Sequence, residues 1–426
     1  MTSYAERTRV RTTGGRGARG GRLSRTAALT LAVTTTLSLV ACSTSAAGPG
    51  SETATPTTAA PTAAPSPSAP EPTADPVPSP DPAPSPDPEP SPDPTPERAE
   101  TNVPMTRLAP GEQPPQFIIF SFDGAGWHDR WQEFSAAAEE VDARFTGFLT
   151  GIYLLTDEHR DAYTGPGHAP GRASVGFGGS TEDVTTLVED LNGAYRAGHE
   201  IGTHYNGHFC ADNPPGAGDW STADWTSELD QFFAFWEGWR EINLMPEAPE
   251  LEVPVSEVRG GRTPCLEGDW EQIAPAWEEH GLTYDSSIPG SGMAWPTQQH
   301  GVWEFAMQST ASPTLGNVTA MDYNFWYKFN QAQDQPERAG EIHDAVLETY
   351  RHMYQATSTG NRAPMLVANH FNAWSGNAFN PAARDFMLEA CDDEGTVCAT
   401  YSDVIAWMEL QDPAVLAELQ SRPPVY

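Results

Sequence analysis

The sequence predicts an α/β domain built on a parallel sheet, and three observations carry that prediction. Short apolar runs recur from Phe117 onward, stretches of helical periodicity separate them, and reactive side chains stand just past the ends of the runs. Strands alternating with helices argue a parallel sheet, because parallel neighbours need a crossover between them. In barrels of that kind the chemistry sits on the loops that follow the strands.

The first 41 residues stand apart from this pattern. They hold seven arginines and one glutamate, and end in the apolar run Thr26–Ala41. A basic stretch before an apolar run too short for a bilayer span of about 20 residues reads as an export signal. Leu39-Val40-Ala41-Cys42 resembles a bacterial lipobox, so Cys42 is the expected lipidation site. Residues 42–115 form the expected linker: 22 of the chain's 40 prolines lie between Pro49 and Pro115. Proline at every second position blocks helix and sheet. An extended tract at about 3.1 Å per residue then holds the following domain on the order of 200 Å from its anchor.

The expected domain spans residues 116–426. Phe117–Phe122 and Phe145–Leu155 read as buried strands. Ser180 opens a capping-box-like start, Val184, Leu187, Val188, Leu191 and Tyr195 follow at helical spacing, and Gly198 suits a helix C-cap. Further strands are expected at Glu200–Thr203, Val253–Val258, Leu282–Tyr284, Val302–Phe305, Met365–Ala368 and Val397–Tyr401. The Gly-rich segment 165–179 lacks lysine and reads as a long surface loop, not a phosphate cradle.

Charge narrows the partners. The net charge is −35, and removal of the arginine-rich first 41 residues takes it to −41. Such a chain repels phosphate backbones and anionic headgroups, so nucleic acid is not expected and membrane contact is expected only through the N-terminal lipid. Lys328 is the only lysine, which leaves no P-loop lysine and no other Schiff-base candidate.

Four segments carry candidate chemistry. Asp123 closes the first strand, although Asp-Gly also commonly opens a turn. His204 and His208 are four residues apart; were the chain helical there, both imidazoles would share a face and bind one cation. Imidazole donors suit zinc, or another first-row ion such as cobalt. Arg262-Thr263-Pro264 places a guanidinium where it can hold a carboxylate through paired hydrogen bonds. His370 ends the run Met365–Ala368 abruptly with a polar group.

Taken together these segments resemble the NodB-type polysaccharide deacetylases, carbohydrate esterase family four. Ser121-Phe122-Asp123 resembles the first motif, Gly198–His208 the second, Arg262-Thr263-Pro264 the Arg-x-Pro motif and Leu282–Ser286 the Tyr-Asp-Ser strand; His370 stands where the final motif has its histidine. Asn361–Pro364 and Asp403–Met408 resemble the chitin-deacetylase branch. The resemblance implies a distorted (β/α) barrel of about seven strands. It implies that Asp123 is the base, Arg262 its holder, His370 the acid, and His204 and His208 metal ligands. One position departs: Gly124 replaces the family's second aspartate, so either a metal ligand or the base is missing, depending on alignment. A water or a carboxylate from the loop Asp212–Asp219 is the expected substitute ligand.

Besides Cys42 the chain holds four cysteines, an even number in an exported protein. Cys391 and Cys398 flank a short turn and are expected to pair, which leaves Cys210 for Cys265; a thiolate zinc site is the rival, though no CxxC spacing supports it. Trp127 and Trp374 each follow a candidate site residue by four and are the expected sugar contacts, aromatic faces being suited to sugar rings. The expected protein is an exported monomer, lipid-anchored at the outer face of the cell membrane. Its expected activity is metal-dependent N-deacetylation of a peptidoglycan- or chitin-like polymer. The alternatives are a carbohydrate-binding lipoprotein that has lost turnover through Gly124, and a two-carboxylate glycosidase, which would leave the three histidines idle.

Overall fold

The computed structural model describes residues 98–426; the expected signal segment, Cys42 and most of the expected linker lie outside the described residues. Among the described residues eleven strands are formed: β1 Gln116–Asp123, β2 Phe145–Leu149, β3 Glu200–Thr203, β4 Gly260–Gly261, β5 Tyr284–Asp285, β6 Thr297–Gln299, β7 Val302–Glu304, β8 Ser309–Ser312, β9 Gly316–Thr319, β10 Met365–His370 and β11 Thr396–Cys398. Seven of them run parallel in the order β10-β1-β2-β3-β4-β5-β7. β6 adds to β7 antiparallel, β11 also pairs with β1, and β8–β9 is a separate hairpin. Between the two ends of the row, the Gln308 side chain accepts from Leu366 N at 3.0 Å and donates to the Pro364 carbonyl at 2.7 Å. A side chain thus stands where ladder bonds would close a regular barrel.

The helices are α1 His128–Glu140, α2 Thr181–Arg196, α3 Thr222–Ile242, α4 Trp270–Glu279, α5 Asp322–Asn330, α6 Ala339–Thr359, α7 Trp374–Asn377, α8 Phe379–Ala390, α9 Tyr401–Leu410 and α10 Pro413–Gln420. Ser180 caps α2 as the sequence indicates, with Asp183 returning the bond. Among the described residues, no helix is long and apolar enough to cross a membrane.

Strand periodicity aims the chemistry. Successive side chains alternate between the two faces of a strand. In β1, Ile118, Phe120 and Phe122 join the large cluster shared with α1, α2 and α8, whereas Phe117 and Ile119 pack with Phe148, Tyr284, Leu366, Tyr401 and Trp407. Asp123 shares the parity of Phe117 and Ile119, and it lies in direct register with His370 at the end of β10.

Three expectations are corrected. Val253–Val258 is not a strand: Pro254 precedes a short 3-10 turn, and the strand is the two-glycine β4. A Cβ on Gly260 or Gly261 would run into the Tyr284 or Thr203 carbonyl, so this close pairing admits only glycine and leaves no β-propensity to read. The run from Phe145 stops as a strand at Leu149 and continues as the 3-10 turn Gly151–Leu154. The expected domain start at residue 116 falls too late. Val103 is buried, Ala99 N donates to the Arg196 carbonyl, and Asn102 Nδ2 donates to the carbonyls of Asp142 and Cys398, so residues 98–115 pack with the domain.

Candidate active site

Arg262 organises the mouth of the sheet. It is fully buried, 0% exposed, one residue past β4. Its Nη1 donates to Asp123 Oδ1 at 2.7 Å, Nε to the Ser286 carbonyl at 2.8 Å, and Nη2 to Ser121, Ser286 and Tyr401 hydroxyls at 3.0–3.1 Å. The expected paired grip on one carboxylate is therefore not what forms: a single bond reaches Asp123, and the other donors fix the guanidinium itself. The Phe148 ring lies 4.8 Å beneath it.

Asp123 and His370 face each other across this arrangement. Burial by itself would raise the Asp123 carboxyl, but Arg262, then His204 and His370, outweigh it and hold the group below its ordinary 3.8. Its Oδ2 lies 4.0 Å from His370 Nε2. On the far side of that imidazole, Nδ1 donates to Asp322 Oδ1 at 2.7 Å, and His370 N donates to Asp322 Oδ2 at 2.7 Å. Burial works against a charged imidazole here; Asp322 and then Asp123 overcome it and raise His370 above 6.5. Asp322, fully buried at the start of α5, is not among the residues that the sequence motifs single out.

His204 and His208 do not sit on a helix. Tyr205 and His208 adopt φ of +54° and +52°, and the segment leaves β3 as an irregular turn. The imidazoles meet nonetheless, with ring centroids 5.2 Å apart. His204 Nδ1 donates to the Arg262 carbonyl at 2.9 Å, which fixes the tautomer and leaves Nε2 as a lone pair. That Nε2 is buried without a hydrogen-bond partner. His208 sits at the lip, partly exposed, with Nδ1 3.6 Å from Cys210 Sγ. Burial, then His204 and His370, hold His208 down at about 3, and burial likewise lowers His204, so both imidazoles are neutral at neutral pH.

The donor chemistry fits a divalent first-row ion: neutral imidazoles, one with an orphaned buried lone pair. Among the described residues, the one group of three candidate donors lying within 4.8 Å of one another is His208, Cys210 and Cys265. Those two sulfurs are joined as a disulfide, so they are not thiolate ligands. The loop carboxylates of Asp212 and Asp219 form no such group with the two imidazoles, and Asp219 accepts instead from Gly216 N. The expected loop ligand is therefore not in place.

Both expected cysteine pairs are present, Cys210–Cys265 and Cys391–Cys398. The first joins the segments that follow His208 and Arg262. Trp374 lies 4.9 Å from the His370 ring and stacks on Trp326 at 4.7 Å, with Tyr323 edge-on. Trp127 precedes α1 and meets Tyr153 edge-on at 5.9 Å. The loop 165–179 lies against the histidine turn: Ser174 N donates to the Gly207 carbonyl, and His168 stacks on Phe209.

At the level of the fold, this is a mixed α/β domain with a parallel sheet whose reactive groups gather at the strand C-termini. No family model matches the sequence, and no curated protein matches it. Solved structures similar to the chain are of the family that the motifs resemble. A candidate polysaccharide deacetylase from Mycobacterium smegmatis is 16% identical, with 75% of this chain and 97% of that one covered and a TM-score of 0.42. A family 4 carbohydrate esterase from Streptomyces lividans, in complex with acetate, is 11% identical over 66% of this chain and 91% of that one, TM-score 0.33. A pseudoenzyme of the same family from Bacillus anthracis is 8% identical over 68% and 66%, TM-score 0.36. At these values the likeness carries no weight of its own, and the functional reading rests on the geometry of the site.

Proposed function

We propose that the chain is a hydrolase that removes N-acetyl groups from an N-acetylhexosamine polymer with the help of a divalent cation, zinc or a similar first-row ion. The carrying observation is His204 Nε2: a buried lone pair with no protein partner, held in place by the same arginine that holds Asp123 ionised. A cation held by His204 and His208 supplies polarisation of an acyl oxygen and a lowered pKa for bound water.

The chain's own residues then have distinct tasks. Asp123 Oδ2, the oxygen not bonded to Arg262, accepts the proton of the attacking water. Arg262 keeps that carboxylate charged and oriented. His370 Nε2, its basicity raised by Asp322, gives its proton to the departing amine as the C–N bond breaks, leaving acetate and a free amino sugar. The pairing of Asp123 with Arg262 favours the alignment in which it is the base and Gly124 marks the missing ligand. Trp374, Trp326 and half-exposed Tyr323 offer a wall beside His370 suited to a sugar ring.

One observation favours a second reading, a glycan-binding domain without turnover: no third protein donor joins the two imidazoles among the described residues. The separating experiment is acetate release from N-acetylglucosamine oligomers by the zinc-supplemented chain. Release above background, abolished by Asp123→Asn, supports hydrolysis; glycan binding with no release supports the second reading. From the sequence alone we also infer export and a lipid anchor at Cys42, which a labelled-acyl incorporation assay with Cys42→Ser would test.

A further inference from the structure

The His204–His208 turn is held from behind by a buried carboxylate with no cation beside it. Glu228 lies in the middle of α3, 0% exposed, on the face that also carries Trp225, Leu229 and Phe232. Its Oε1 accepts from Tyr163 Oη at 2.6 Å and its Oε2 from Asn206 Nδ2 at 3.1 Å. The backbone N–H groups of Asn206 and Gly207 lie near it and favour its charged form. Asn206 Nδ2 closes the arrangement by donating to the Glu228 carbonyl at 2.6 Å. Among the described residues, no Arg, Lys or His forms an ion pair with it, and burial pushes the carboxyl up to about 7 despite these neighbours.

An unpaired buried carboxyl is an expensive way to fill a helix–loop contact. What it contacts explains its presence. Apart from Tyr163, the groups that favour its charged form belong to Asn206 and Gly207, which lie between His204 and His208. The flanking residues Tyr205 and His208 occupy the left-handed region without being glycine. Such backbone persists only where its surroundings over-determine it.

We propose that Glu228 is the positioning residue of the cation site: by gathering the donors of Asn206 and Gly207 it fixes the turn, and so sets the separation and orientation of the two imidazoles that would grip a divalent cation. This rests on reading His204 and His208 as cation ligands. Glu228 touches neither imidazole and acts only through the turn between them.

The test is titration of the full chain with Co(II), read by its visible absorption, for wild type, Glu228→Gln and Tyr163→Phe, with far-UV circular dichroism and thermal melting alongside. Loss of a supporting partner behind metal ligands typically costs 10–100-fold in affinity. Glu228→Gln, whose amide cannot accept from every present donor, is expected to weaken Co(II) about tenfold or more and to alter the ligand-field bands, with the disulfides and secondary structure retained. Tyr163→Phe leaves the turn's own donors in place and is expected to weaken it by less. Unchanged affinity and bands in a folded Glu228→Gln overturn the inference; should that variant not fold, unchanged values in Tyr163→Phe overturn it. A wild-type chain that takes up no Co(II) overturns the cation reading itself, and this inference with it.

Discussion

Two sides of the same sheet mouth hold buried carboxyl groups in opposite charge states. On the β1–β10 side, Asp123 is kept below its ordinary value by Arg262 and faces His370, which Asp322 raises above its ordinary value. On the β5–β7 side, Asp285 and Glu304 also end parallel strands, stand in register, and are as deeply buried. Among the described residues, no arginine hydrogen-bonds that pair. Burial first, and then the charge of Asp285, push Glu304 up to about 11, while Asp285 accepts from Ser287 N at 2.8 Å. Position in the fold is therefore not what makes a carboxylate reactive. The direction in which one guanidinium points decides which side carries charge available for catalysis and which side shares a proton as structure.

The largest effect that would break this comparison is at Asp123. Asp123→Asn keeps the size and removes the base, and should lower the acetate-release rate by about 10²–10⁴-fold. A loss of less than tenfold would place the base elsewhere. Next is Gly124→Asp, which sharpens the account of the weakened cation site. A Cβ at Gly124, where φ is +60°, would meet Tyr153 Oη, Thr150 Oγ1 and Trp127 at 3.5–3.9 Å, ordinary contact distances, and aspartate tolerates that backbone region. Cation affinity should rise at least about tenfold, since even an indirect supporting partner is worth that much; isothermal titration would show it.

A smaller effect separates the two charges of the active side. Asp123, lowered, loses its ionised form only as pH falls through a value below 3.8. His370, raised, loses its proton as pH rises through a value above 6.5. The rate should therefore be flat between those limits and fall on both sides. Asp322→Asn removes the group that raises His370, so the alkaline limb should move to lower pH while the acid limb stays; a pH–rate profile of the variant checks both limbs.

The smallest effect is on the structural side. A carboxyl raised from 4.5 to about 11 in the folded state stabilises the fold at low pH, and that contribution is lost progressively as pH rises from about 4.5 to 11. Glu304→Gln mimics the protonated form. It should raise the melting temperature by roughly 1–2 °C at pH 8, the shift given by about 1 kcal/mol in a domain of this size. It should change little near pH 4.5 and leave acetate release intact.

The sequence makes some of this plain and hides the rest for definite reasons. Asp123, Arg262 and His370 are legible because each closes or closely follows a strand, and the cysteine pairs because their number and spacing leave few choices. The strand holding Arg262 in place is not legible, since Gly260-Gly261 has no side chains to show periodicity. Asp322 is hidden because it follows Met321, whose pairing with Ala368 is a single bridge and not a strand. Glu228 leaves a trace: an acidic residue three after Trp225 and four before Phe232 stands on the apolar face of its helix, where a surface glutamate would not. The histidine spacing anticipates that the two rings meet but not how, because an irregular turn, not a helix, brings them together.

The most direct measurement is elemental analysis of the purified chain beside His204→Ala. The account predicts about one divalent ion per wild-type chain and loss of most of it in the variant, because the orphaned Nε2 is the buried donor. A variant that retains the full complement, or a wild type that takes up no ion when supplied with zinc, would contradict it.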